Sequence, residues 1–292
     1  TGHGTHVAGI GGADGTVRGM APGAAMLGIR VLDDDGRGST ASVLAGLDQA
    51  LKYFQDRGRP MVVNMSLGGP AGPVESDPLH AKISELKEAG ILVVAAAGNS
   101  GPRPGTISSP SNSDDAISVA AYDTKGTPEQ DDDTVARFSS RGTNTNDGTG
   151  QQSKPDIGAN GVEVVSTFLD DGFAALSGTS MASPAVAGAA ALLLGRANDL
   201  FKNGQLNKSP LDLVKDGDIQ KLLTDTAFDR SDIPATDEGA GNLRIDRAEQ
   251  LMVERFGCEK VDPCMEKARA AGPMTVIGAL TINLGGNIDR KR

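Results

Sequence analysis

The sequence has no tryptophan and few aromatic residues of any kind, 3% of 292 residues. Its core must therefore be built from aliphatic side chains and alanine. It has two cysteines, Cys258 and Cys264, close together near the end. Two do not make a disulfide framework; a small local disulfide and two free thiols stay equally open. No histidine lies near them to suggest zinc. Positive charge is short as well, 28 Lys and Arg against 38 Asp and Glu, a formal charge of −10. Nucleic acid and anionic membrane surfaces reward positive charge, so neither is an expected partner. No stretch reaches the ~20 apolar residues of a membrane span. The first residue is Thr1, and no charged segment followed by an apolar one marks a signal peptide. The sequence reads as beginning inside a longer protein, which leaves localisation unknown.

Glycine is plentiful, 39 residues, beside an ordinary 38% of hydrophobic residues. That profile fits a globular α/β chain with many tight turns. Apolar runs of strand length alternate with helical patterns. "AAMLGIRVL" (24–32) reads as a buried strand, followed by a helical face of Val43, Leu44, Leu47, Ala50, Leu51 and Phe54. "PMVVNMSL" is the next strand. "DPLHAKISELKEAG" is a helix with Pro78 near its start and Gly90 closing it. "ILVVAAAGN", "AISVAAYD" and "VEVVST" follow as strands, then a long helix from near Ser180. Fully apolar strands separated by helices predict three layers: a mostly parallel central sheet with helices on both faces. The stretch 123–154 is polar and reads as surface loop, as does "GQLNKSPLDLVKDGD", before a short helix near 219–225. The expected division is a domain over 1–255 and an extension over 256–292, in which "MTVIGALTINLGG" looks like strands starting a following β-rich module.

Three short segments carry chemistry. In "TGHGTHVAGIGG", His3 and His6 would share a face of a helix. A metal pair is one reading, packed histidines another; the glycines favour close approach of another backbone to His3. In "VVAAAGNSG" a buried strand ends at Asn99, as ligand-binding strands of parallel sheets do. Its amide could serve a turn or a developing oxyanion. In "SGTSMASPAVAGAAALLL", Ser180 stands at the mouth of an apolar helix, either as an N-cap or as a nucleophile beside free N–H groups.

"GHGTHVAG", "AAAGNSG" and "GTSMASPAVAG", in this order, resemble the histidine, oxyanion and serine motifs of the subtilisin-like serine peptidases. "VVNMSLGGP" and "GAGNLRIDRA" are similar to two further landmarks of that family. The resemblance covers about residues 1–255 and implies a subtilisin-like fold. It also implies a Ser–His–Asp endopeptidase with His3 as general base, Ser180 as nucleophile, and Asn99 with the Ser180 N–H as oxyanion donors. His6 becomes a supporting residue, and Ser177 and Ser183 are expected to hydrogen-bond locally. Substrate would lie between Ser66, Leu67 and Gly68 on one edge and the segment of Gly36 and Gly38 on the other. The specificity pocket would be walled by Ser66–Gly68 and Ala96, Ala97 and Gly98, with Ser108 near its base. No carboxylate is evident there, so a neutral residue is expected before the cleaved bond.

In this family the acid precedes the histidine, on a buried strand. Only Thr1 and Gly2 precede His3, so the resemblance assigns the acid to no residue here and places it upstream. The expectation is a sheet short of one internal strand and a chain with little turnover. The chemistry would need no cofactor. Structural calcium stays open: the loop from Gly11 to Gly19 is too short for one site of some relatives, while Asp156 matches a weaker cation position and reads equally as a turn carboxylate. Protein or peptide substrates, and a pro-segment inhibitor, are the partners implied; a secreted or cell-surface location is favoured. The alternative is a degenerate subtilase kept as a binding or structural module, which retention of His3, Asn99 and Ser180 opposes.

Overall fold

A computed structural model describes residues 2–144, 148–150 and 154–258, and the backbone of 280–283. The elements run α1 (His3–Gly12), β1 (Leu27–Arg30), α2 (Thr40–Arg57), β2 (Met61–Met65), α3 (Pro78–Ala89), β3 (Ile91–Ala96) and β4 (Ala116–Asp123). Then come β5 (Thr134–Val135), β6 (Ile157–Asn160), β7 (Val164–Thr167), β8 (Phe173–Leu176) and α4 (Thr179–Lys202). The chain continues with α5 (Pro210–Lys215), α6 (Asp218–Thr224), α7 (Ala235–Glu238), α8 (Ile245–Phe256) and β9 (Leu280–Asn283).

The main sheet has the order β1-β9-β2-β3-β4-β5, with β6 also paired to β4. All its pairings are parallel except β4–β5. Its strands are apolar throughout because both faces are covered. Val62, Leu92, Val94, Ile117 and Val119 point to one side, against Val186, Ala190 and Leu193 of α4 and Leu222 of α6. Met61, Val63, Met65, Ile91, Val93 and Ala95 point to the other, against Leu47 and Phe54 of α2 and Ile83 and Leu86 of α3. The period of two thus feeds two cores, giving the expected three layers.

Four sequence expectations change. The strand expected within 274–286 forms at β9, where it pairs with both β1 and β2 inside the main sheet. The position between β1 and β2 is therefore filled rather than open. "VEVVST" does not join that sheet; β7 pairs antiparallel with β8 as a separate hairpin. The stretch read as loop over 204–218 contains α5, started by Ser209, whose hydroxyl accepts from Asp212 N (3.1 Å), and by Pro210 at the first turn. Finally, α4 is long and apolar enough by length and composition to cross a membrane. Its apolar residues instead fill the core: Val186, Ala187, Ala190 and Leu194 are fully buried.

Candidate active site

At the carboxyl end of β3 the chain reverses at Gly98, in the left-handed region at φ 111°. A Cβ there would meet Ser140 Oγ at 2.8 Å, so only glycine fits. The turn presents Asn99 to the first turn of α4. Asn99 Oδ1 accepts from Thr179 N (2.9 Å) and Thr179 Oγ1 (3.0 Å). Those bonds occupy the carbonyl end of the amide and leave Nδ2 as an outward donor. Thr179 is fully buried and also accepts from Gly98 N (3.2 Å). Next to it, Ser180 is the second residue of α4, so its N–H has no carbonyl one turn earlier to bond. Two N–H donors and a hydroxyl thus meet at one helix start.

Pro184 lies inside α4 and has no N–H to give the Ser180 carbonyl, its partner one turn back. Ser66 Oγ supplies the missing donor, at 2.9 Å from Ser180 O. Ser66 Oγ is itself held by Asn64 Nδ2 (3.0 Å), and Asn64 Oδ1 accepts from Ser183 Oγ (2.6 Å). This buried network ties β2 to the start of α4. Ser183 bonds across the fold rather than locally, and Ser177 likewise, accepting from Glu163 N (2.9 Å). Both correct the local bonding expected of them. Ser180 Oγ reaches the Ser66 carbonyl at 3.4 Å, near the outer limit of a hydrogen bond.

His3 begins α1, which packs closely on β7 and α4. A Cβ on Gly9 would sit 2.2 Å from Thr167 Oγ1 and 2.3 Å from Ser166 Oγ, so glycine is needed for that approach. Ser166 and Thr167 donate to the carbonyls of His6 (2.8 Å) and Thr5 (2.9 Å). His6 is fully buried, its Nε2 3.0 Å from both Val164 O and Ala174 O. It pins the β7–β8 hairpin to α1; the described residues contain no group of three or more metal-binding side chains. Burial, and next the nearby His6, lower His3 from the usual histidine value to about 4. His3 Nδ1 is buried, with no hydrogen-bond partner among the described residues.

A cleft of about 1000 Å³ runs past the start of α4. Gly36, Gly38, Ser66, Leu67, Gly68, Ala96, Gly98, Asn99, Ser108 and Ser180 all line it. His3 is not among its lining residues, and Ala97 is buried behind the wall, where its carbonyl accepts from Ser108 N (2.9 Å) and Oγ (3.1 Å). Thr179, Asn64 and Asp77 were missed. The first two are signalled only by lying within the serine and "VVNMSLGGP" motifs; nothing local to Asp77 marks it. Asp156 is not free for a cation. Lys154 Nζ sits 2.8 Å from Oδ2 and 3.0 Å from Ala116 O, placing an internal ammonium where the ion was expected. Cys258 has no free thiol, and Cys264 lies outside the described residues.

The sequence profile described as the Subtilase family matches residues 1–257. Serine protease AprX of Bacillus subtilis is 39% identical over 243 residues, covering 74% of this chain and 54% of that protein. Subtilisin DY of Bacillus licheniformis is 40% identical over 200 residues, 67% of this chain and 64% of that protein. The chain thus spans about half to two thirds of the length of these relatives. Among solved structures, the S41 psychrophilic protease superposes with a TM-score of 0.70 at 33% identity, covering 84% of this chain and 77% of that one. Sphericase gives 0.68 at 31%, with the same coverage.

Proposed function

The chain belongs to the subtilase family, and we propose that it forms most of a serine endopeptidase domain over residues 1–255, with 256–292 as an extension. Ser180 Oγ attacks the scissile carbonyl while His3 Nε2 takes its proton. The negative oxygen that develops is met by Asn99 Nδ2 and Ser180 N–H. His3 then protonates the leaving amine, and water releases the acyl group by the same route. The weak bond of Ser180 Oγ to Ser66 O leaves the hydroxyl free to turn toward His3. A carboxylate belongs against His3 Nδ1, to hold the tautomer and stabilise the imidazolium. No described residue fills that place, and the family resemblance puts the acid on a strand preceding the histidine.

The observation that carries this reading is the Asn99 clamp. Thr179 holds the amide so that its donor end, the adjacent Ser180 N–H and the Ser180 hydroxyl share one corner of a peptide-sized cleft. Extended protein or peptide substrates fit between Ser66–Gly68 and Gly36–Gly38 through main-chain hydrogen bonds. The chemistry calls on no cofactor.

His3 Nδ1, without a partner among the described residues, favours a second reading, a subtilase kept as a binding module. A fluorophosphonate probe separates the two. In a chain extended at its N-terminus with the acid-bearing strand, we expect it to label Ser180, with labelling lost in Ser180→Ala. Absent labelling, or labelling that persists in the variant, overturns the peptidase reading.

A further inference from the structure

The cleft contains a charge that peptide hydrolysis does not use. Asp77 lines it beside Gly69, Ala71 and Ser109. Oδ1 accepts from Leu79 N (2.9 Å) and Oδ2 from Ser109 Oγ (2.5 Å). Ser109 is itself fixed by a pair of backbone bonds to Gly69, at 2.9 and 3.0 Å. The carboxylate is thus held rigidly in the wall, and with its side chain 15% exposed it is shielded yet reachable. Both of its donors are neutral. Among the described residues no Lys or Arg pairs with it. His80 Nε2 lies 3.9 Å away and spends its close contact on Asn112 Oδ1 (3.0 Å). Asp77 caps α3, whose N-terminus offers roughly half a positive charge. The surrounding wall is small. A Cβ on Gly68 would meet Ser108 Oγ at 2.6 Å, so a hydroxyl and backbone atoms stand closest to that glycine. Small walls leave room for a long side chain to reach the carboxylate.

We propose that Asp77 makes this compartment a subsite for a substrate side chain ending in a cation, a lysine or an arginine. This rests on the peptide-cleft reading above, and it replaces the neutral residue expected from the sequence. A carboxylate fixed in place and partly withdrawn from water interacts with an incoming cation more strongly than a surface ion pair does, because solvent screening is reduced. Each of its oxygens has a second lone pair still open to a donor. The guanidinium fork suits such an acceptor better than an ammonium, so arginine is preferred over lysine.

The test uses benzamidine, a cation, and benzamide, its neutral counterpart, titrated by calorimetry or ligand-observed NMR against the 292-residue chain. We expect benzamidine to bind at least tenfold more tightly. In Asp77→Asn the preference should fall to about onefold. Asparagine caps a helix as well as aspartate does, so α3 keeps its start. If that variant fails to fold, salt titration of the parent decides: benzamidine affinity should fall from low to high salt while benzamide affinity holds. Equal affinities, a preference that survives in Asp77→Asn, affinities indifferent to salt, or no binding by either ligand would overturn the proposal. These arms need no turnover. A cation preference without fluorophosphonate labelling would keep the subsite and sink the peptidase; labelling without a preference would do the reverse.

Discussion

Ser180 and His3 both stand in the first turn of a helix, yet their polar groups are provided for differently. Around Ser180 the chain supplies its own partners. Its carbonyl, orphaned by Pro184, accepts from Ser66, and the neighbouring Thr179 N–H goes to Asn99. At His3 the backbone is just as firmly held, by the close contact of Gly9 with β7. The ring is not: Nδ1 is buried without a partner among the described residues, and the basicity of the imidazole is depressed by that burial. A buried polar atom left unpaired costs roughly 1–3 kcal/mol. That unpaired ring atom, at the position where the family resemblance places a carboxylate, is where a further group would fit.

The largest expected effect comes from adding that group. Extending the chain at its N-terminus with the acid-bearing strand of a relative, which must displace β9 from its place between β1 and β2, should raise turnover by about 10⁴-fold, the usual worth of a triad carboxylate. The pH profile sharpens the comparison. With His3 lowered to about 4, below the unfolded value of 6.5, its neutral form is favoured in the folded chain. The stability linked to it is therefore complete above pH 6.5 and lost as pH falls toward 4. A carboxylate at Nδ1 favours the imidazolium, so the extended chain should show a higher midpoint both in activity and in His3 titration by NMR. An unchanged midpoint would show that the acid does not reach His3.

The next effect lies on the finished side. Asn99→Ala should lower kcat by about 10²–10³ with little change in KM, since the lost donor acts on the transition state. Thr179→Val keeps the N–H bond to Asn99 and loses only the hydroxyl. It should cost about tenfold, again in kcat, because the amide is loosened but not removed. If Thr179→Val raised KM instead, the clamp would be serving the substrate, not the oxyanion.

These two sides also differ in how legible they are. The helices and strands with uninterrupted apolar faces, α2, α3, β2, β3 and β4, could be read directly, because each buries one or both faces against the same two cores. Asn99, Ser180 and most of the cleft wall were legible because they sit within compact motifs. β9 was read as the start of another module since nothing in "LTIN" says which sheet it will join; pairing with β1 and β2 is a long-range choice. Asp77 was missed for a similar reason. Its place in the cleft is shared with Ser109, 32 residues away, whose hydroxyl bonds it. Of the two readings of Asp156, the structure carries the carboxylate one: Lys154, two residues before it, turns back onto it.

The smallest effect tests whether the Ser180 end is held as described. Ser66→Ala removes the hydroxyl that bonds Ser180 O and leaves that carbonyl unpaired, since Pro184 has no N–H to offer. It also strips Asn64 Nδ2 of its acceptor. A loss of about 1–3 kcal/mol is expected on chemical denaturation. Pro184→Ala restores an N–H one turn after Ser180, at a helix position where alanine is well tolerated. In that background Ser66→Ala should cost less, because the carbonyl then has the helix's own donor. The remainder should reflect Asn64 alone. The two changes should therefore couple by about 0.5–1.5 kcal/mol in a double-mutant cycle. Strict additivity would mean that Ser66 does not stand in for the missing N–H. The start of α4 would then owe its position to packing of Thr179 and Met181, both nearly inaccessible to solvent.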